Sequence, residues 1–183
     1  KTQSGSPAAR KRRPKAEAGA TPGIESVTGV DQPPAPGEIA IRCIDYGPDA
    51  LADRTFATID ECLETTRPTG TTVRWINVDG LHPYVVNRLR SAHGFHTLAA
   101  EDVLRTSQRP KVETYEGNLF IVARMLVWKD DALHHEQLSI FLFKDTVLTF
   151  QETAGDCWDP IRLRVQKPGS RLRAHDPSYL VYA

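Results

Sequence analysis

Two long runs, Asn118–Trp128 (NLFIVARMLVW) and His135–Lys144 (HEQLSIFLFK), constrain the fold more than any other feature. Successive side chains of a strand point to opposite faces, and both faces of these runs are apolar. A strand wetted on one side alternates apolar with polar residues. One that is apolar throughout belongs in the middle of a sheet covered twice. Thr146–Glu152 (TVLTFQE) follows through a tight Lys144–Asp145 turn, and six residues, Lys129–His134, turn the chain between the first two runs. Neighbours in sequence pair most simply, so these strands are expected as an antiparallel meander. Helices must then cover both faces. The predicted fold is α/β, a three-layer α/β/α sandwich with a mixed parallel/antiparallel sheet, preceded by a disordered basic tail.

Charge marks the boundary of that tail. The 183 residues sum to zero formal charge, yet residues 1–37 hold six Lys/Arg against three Asp/Glu, while residues 38–183 hold 17 against 20. Residues 1–37 are rich in Pro, Gly, Ala, Ser and Thr. Such a segment buries too little apolar surface to offset its ordering entropy. Its one charged knot, Arg10–Lys15 (RKRRPK), suits a solvated tail or contact with anionic lipid. Residues 38–183 are expected to form one domain around one core.

No run of about 18 apolar residues is present to span a membrane. No apolar signal-peptide core opens the chain. The chain starts with Lys rather than Met, and a helix opened by Asp176–Pro177 runs into its end, so it reads as a piece of something longer. Cys43, Cys62 and Cys157 are far apart and odd in number, which fits reduced thiols in a cytosolic setting.

Along the chain, Glu38–Asp45 reads as a first strand, Phe56–Thr66 as a short helix with Thr58 as its cap, and Thr72–Asp79 as a second strand. In that strand Val73, Trp75 and Asn77 share one face and Arg74, Ile76 and Val78 the other. His82–Gly94 is an amphipathic helix that buries Val85, Val86 and Leu89 and stops at Gly94. Asp156–Gln166 fits a helix with Asp156 as cap and Pro160 in the first turn. The alternation of Ile161, Leu163 and Val165 with Arg162 and Arg164 suits a strand equally.

The catalytic and cofactor motifs searched for are missing. The chain lacks GxGxxG, GxxxxGK[ST], GxSxG, HExxH and paired CxxC, so nothing supports an enzyme. His93 and His96 flank a Gly that ends a helix, and His134 and His135 are neighbours in a loop, so both pairs make poor ligand sets. The aromatic residues look like core, and the cations Arg162, Arg164, Lys167, Arg171 and Arg173 look like a solvated face, so no nucleic-acid partner is expected.

Thr97–Glu113 (TLAAEDVLRTSQRPKVE) is the stretch with chemistry in it. It begins as a short helix with Thr97 as cap, carries the acidic pair Glu101 and Asp102, and is broken by Pro110 before a strand. Adjacent helical residues diverge by about 100°, so the two carboxylates cannot face one partner squarely. Helix-dipole stabilisation is a sufficient role for them, worth about 0.3–1 kcal/mol each. A weak site for a hard, oxygen-preferring cation such as Mg²⁺ is the alternative, provided a second chain completes it.

The same stretch resembles the "LEDVL … QRPKVE" block of CorA-type magnesium transporters. Trp75–Val78, Glu136–Leu142, Val147–Glu152 and Asp156–Arg164 resemble further blocks of that family, in the same order. The resemblance covers roughly residues 38–183. It implies the cytoplasmic α/β domain of a magnesium and cobalt channel of the inner membrane. It also implies a homopentamer closed by divalent ions at subunit boundaries, with Glu101 and Asp102 as the interfacial metal residues. It implies partner carboxylates, pore helices and membrane attachment beyond Ala183, without which this segment does not transport. This chain reads TLAAED where PLALED is common, which leaves the acidic pair intact. Two alternatives stay open: a ZntB-like domain that answers to Zn²⁺, and a stand-alone soluble interaction domain of the same fold.

Overall fold

The structure is a computed structural model that describes residues 23–24, 27–153, 155 and 157–183. One seven-stranded sheet runs in the order β2-β1-β3-β7-β6-β5-β4. Its strands are β1 (Ala40–Tyr46), β2 (Leu51–Phe56), β3 (Val73–Asp79), β4 (Lys111–Tyr115), β5 (Asn118–Lys129), β6 (Ala132–Leu142) and β7 (Thr146–Gln151). Among the described residues the single parallel pairing joins β3 to β7, and every other pair is antiparallel. The sheet is mixed, as expected, and β5–β6–β7 form the expected meander.

Among the described residues six helices lie on the two faces: α1 (Ile59–Glu64), α2 (Pro83–His93), α3 (Thr97–Leu104), α4 (Asp159–Gln166), α5 (Arg171–Ala174) and α6 (Pro177–Tyr182). Helices α1–α3 close one core over Ile76, Val78, Phe120, Phe141 and Phe150. Helices α4–α6 close a second over Ile44, Val73, Trp75 and Val147. Strand β3 feeds both by simple alternation, which is why it reads as apolar on both sides. On the second face a buried polar chain satisfies itself. The Trp75 indole donates to Thr149 Oγ1 at 3.0 Å, and the Thr149 hydroxyl donates to Asn77 Oδ1 at 2.8 Å.

Local chemistry fixes the helix ends. Thr58 Oγ1 accepts from the Glu61 amide, the predicted cap. Gly94 stops α2 at φ 72°, a left-handed conformation that costs glycine nothing. Helix α4 starts at Asp159 with Pro160 in its first turn, so the helical reading of 156–166 holds; Asp156 lies outside the described residues.

Several expectations need correction. Thr97 does not cap α3. The cap is His96, whose Nδ1 accepts from the Leu98 amide at 3.2 Å. The long connection Lys129–His134 is in fact a two-residue turn, Asp130–Asp131, with φ 51° and 55°. Aspartate tolerates the left-handed region that such a hairpin demands. Strand β2 is unexpected: only its last residue, Phe56, falls in the stretch expected as helix, and Leu51–Phe56 is a half-exposed edge with little periodic signal. Helix α5 was not anticipated. The expected disorder of 1–37 does not hold to its end. Ile24 is fully buried, and Val27 and Val30 pack on the core beneath α1–α3. Those three apolar residues are the sequence signal that composition averaged away. Residues 1–22, including Arg10–Lys15, lie outside the described residues.

Candidate metal centre on the third helix

Glu101 and Asp102 sit side by side on α3 and do different jobs. Glu101 is buried, with 5 % of its surface exposed. Its Oε2 accepts from the Gly23 amide at 2.8 Å, and its Oε1 pairs with Arg105 one turn later. Next to it the Thr97 hydroxyl oxygen accepts from the Ile24 amide at 3.1 Å. Glu101 and Thr97 thus pin the N-terminal segment and seat Ile24 in the core. Both Glu101 oxygens are thus engaged inside the chain, and the side chain is 7 % exposed.

Asp102 points the other way, and its side chain keeps 20 % of its surface exposed. Gln108 Nε2 donates to Oδ1 and Lys111 Nζ to Oδ2, both at 2.7 Å. Lys111 Nζ also donates to Glu113 Oε2 at 2.8 Å, and the Tyr115 hydroxyl reaches the same oxygen at 3.1 Å. The ammonium therefore stands between two carboxylates. Gln137 Nε2 donates to the Asp102 carbonyl at 3.0 Å, tying α3 to β6. Sequence reasoning missed Lys111, Gln108 and Glu113 as partners. Their place in the same block was the available signal, and the reversal of the chain at Pro110 brings them back over α3.

The Lys111 hydrogen bond holds the Glu113 carboxyl below its ordinary range, against partial burial. Burial lowers the Lys111 ammonium, but its bonds to Asp102 and Glu113 outweigh that and leave it raised. A depressed carboxylate contributes stability above its unfolded pKa and loses it as pH falls through the folded value. A raised ammonium contributes below its unfolded pKa and loses it as pH rises through the folded value. The Lys111–Glu113 contact is therefore intact across neutral pH, and is lost on the acid side as Glu113 protonates and on the alkaline side as Lys111 deprotonates.

Among the described residues no group of three or more His, Cys, Asp or Glu converges on one point. Asp102 and Glu113 supply hard oxygens, as a Mg²⁺ site needs, but in this chain Lys111 satisfies them. His93 and His96 do not converge: His93 lies against Phe143, with ring centroids 5.4 Å apart, and His96 stacks on Tyr115 at 5.0 Å.

The model of the family described as CorA-like Mg2+ transporter protein matches residues 70–183, well over half of the sequence. The chain belongs to that family. The CorA-like chain is 40 % identical over 136 residues to the cobalt/magnesium transport protein CorA of Thermotoga maritima, a match covering 71 % of this chain and 38 % of that protein. It thus spans less than two fifths of that relative's length. Among solved structures, the soluble domain of CorA from Methanocaldococcus jannaschii is similar with a TM-score of 0.55 at 13 % identity, over 81 % of this chain and 55 % of that one. The cytoplasmic domain of ZntB from Vibrio parahaemolyticus gives 0.54 at 16 % identity, over 71 % and 50 %. Those likenesses show the fold. Among the described residues of the CorA-like chain, no helix is long and apolar enough to cross a membrane.

Glu101→Gln removes the charge from the Arg105 pair and weakens the Gly23 anchor. Urea unfolding is expected to show a loss of about 1–3 kcal/mol, and hydrogen exchange a selective loss of protection at Ile24. Unchanged protection there would show that the segment is held by Ile24 burial alone.

Proposed function

We propose that this segment is the cytoplasm-facing regulatory domain of a CorA-like divalent-cation transporter of the cell membrane, with Mg²⁺ first and Co²⁺ as a passenger. It acts as a binding module and not as an enzyme. The reading rests on the family match together with one observation: Asp102 is the more exposed of the acidic pair, beside a lysine whose charge a metal ion can replace.

In a homopentamer the Asp102 face meets a neighbouring copy, and a divalent cation there is bound weakly. Mg²⁺ keeps most of its waters and needs only one or two carboxylates. Asp102, with Glu113 behind it, supplies these, and a carboxylate of the neighbouring subunit completes the site. The cation must displace Lys111, which lowers affinity and suits a sensor of an abundant ion. Bound, it clamps the boundary and favours a closed pore; lost, it returns Asp102 to Lys111 and frees the boundary. The difference in affinity between the two states is what a gate requires. Glu101 keeps its structural role in both. The tail knot Arg10–Lys15 adds contact with anionic lipid. The ZntB-like fold keeps Zn²⁺ as the second reading.

Thermal unfolding at graded Mg²⁺, Co²⁺ and Zn²⁺ tests the proposal. At tenfold Kd a bound ion stabilises by about 1.4 kcal/mol, and Asp102→Ala is expected to abolish the response. A Zn²⁺ response without a Mg²⁺ one favours the second reading. Identical Mg²⁺ responses in wild type and variant would remove Asp102 from the site.

A further inference from the structure

Two buried thiols lie on the α1–α3 side of the sheet. Alternation along β1 turns Ile41 and Cys43 into that core. Helix α1 starts soon after β2 and folds back over the same side, pointing Ile59 and Cys62 inward. Cys43 is 1 % exposed and Cys62 is fully buried. The Cys43 thiol donates a hydrogen bond to the Cys62 sulfur, and this bond, then burial, makes Cys43 hold its proton tightly. The same bond, helped by Arg74 and Arg54 and opposed by burial and Asp45, holds Cys62 below the usual thiol value.

Guanidiniums surround the pair. Cys43 Sγ lies 3.9 Å from Asp45 Oδ2, the oxygen that Arg54 and Arg74 both hold. The thiolate is the nucleophilic form of cysteine, and neighbouring cations favour it. One sulfur is thus prepared to attack, and a second stands beside it with its proton in place. The remaining cysteine of the sequence, Cys157, lies before α4 and has a different partner, donating to Gln151 Oε1 at 3.1 Å.

We propose that Cys43 and Cys62 form a dithiol site that peroxide converts to an intramolecular disulfide, bonding α1 to β1. Cys62 Sγ attacks one peroxide oxygen, the O–O bond breaks, and the released hydroxide takes the thiol proton as water. Cys43 Sγ then attacks the sulfur of the Cys62 sulfenic acid. The S–O bond breaks, the S–S bond forms, and the leaving hydroxide takes the Cys43 proton as a second water. The two sulfurs give up two electrons in total, and one peroxide accepts them. Exchange with a small dithiol restores both thiols. Peroxide enters through α1. That helix has six residues, too few to persist without packing, so it opens locally more readily than the sheet beneath it. None of Asp102, Lys111 or Glu113 takes part, so the dithiol stands apart from the cation reading.

Mass spectrometry of the Cys157→Ser chain, which keeps only this pair, is the test. The chain is treated with hydrogen peroxide in native buffer, quenched with catalase, unfolded and alkylated with N-ethylmaleimide. Untreated chain is expected to take two alkylations. Treated chain should take none and be lighter by two hydrogens. The bridged form should gain about 5 °C in Tm, because the closed loop restricts the unfolded chain, and dithiothreitol should reverse the gain. Cys43→Ser in the same background should form no bridge and show no gain. Two alkylations after a treatment that fully oxidises Cys157 of the wild type overturn the proposal. So does a bridge that forms only in urea or one that lowers Tm, because the native fold then does not hold the sulfurs ready to bond. A Tm gain that persists in Cys43→Ser overturns it as well.

Discussion

Asp45→Asn is expected to destabilise the domain by about 3 kcal/mol, near the lower end for breaking a buried ion pair. Asp45 is fully buried on β1. Arg74 grips it from β3 through Nε at 2.6 Å and Nη2 at 2.9 Å, and Arg54 reaches it from β2 at 2.7 Å. Arg67 Nε lies 3.9 Å away and continues to Asp145 at 3.1 Å. One carboxylate therefore offsets several guanidiniums at one end of the sheet. Asparagine keeps the shape and deletes the charge. The arginines retain 12–33 % side-chain exposure, so water screens part of the loss and the effect stays below that of a fully dry cluster. Urea unfolding at constant m measures it. A loss under 1 kcal/mol would show that Asp145 and solvent suffice to compensate the arginines.

Phe141→Ala is expected to cost about 3–5 kcal/mol, the usual toll of an aromatic cavity, and to lower Tm by on the order of 10 °C. Phe141 is fully buried on β6, with ring centroids 4.0 Å from Phe95 and 4.5 Å from Phe120, and it meets Phe150 edge-on at 6.1 Å. Those partners come from β5, β7 and the loop before α3, so no single neighbour can collapse into the void. Phe141→Leu should recover more than half of the loss. If alanine costs no more than leucine, the stack relaxes and the cavity closes.

Much of the architecture was legible because strand periodicity is a local property. The doubly apolar runs at 118–128 and 135–144 required a twice-covered sheet, and Gly94 and Thr58 marked helix ends through their own chemistry. Element edges were less legible. His96 outcompeted Thr97 as a cap because tertiary structure spends the Thr97 hydroxyl on the Ile24 amide. The buried residues Cys43 and Cys62 are distant in sequence, yet β1 and α1 bring them together; a hydrogen bond between them, and then burial, pushes the Cys43 thiol up.

The sequence by itself determined the layers, the family and the presence of an acidic pair on a short helix, because periodicity, block order and residue identity need no third dimension. Only the tertiary structure divided that pair. The turn of α3 aims Glu101 at the N-terminal segment and Asp102 at β4, where a lysine nine residues later closes on it. Both carboxylates are engaged inside the chain; which is buried under the N-terminal segment and which keeps part of its surface exposed depends on distances between segments remote in sequence, and those exist only once the chain has folded.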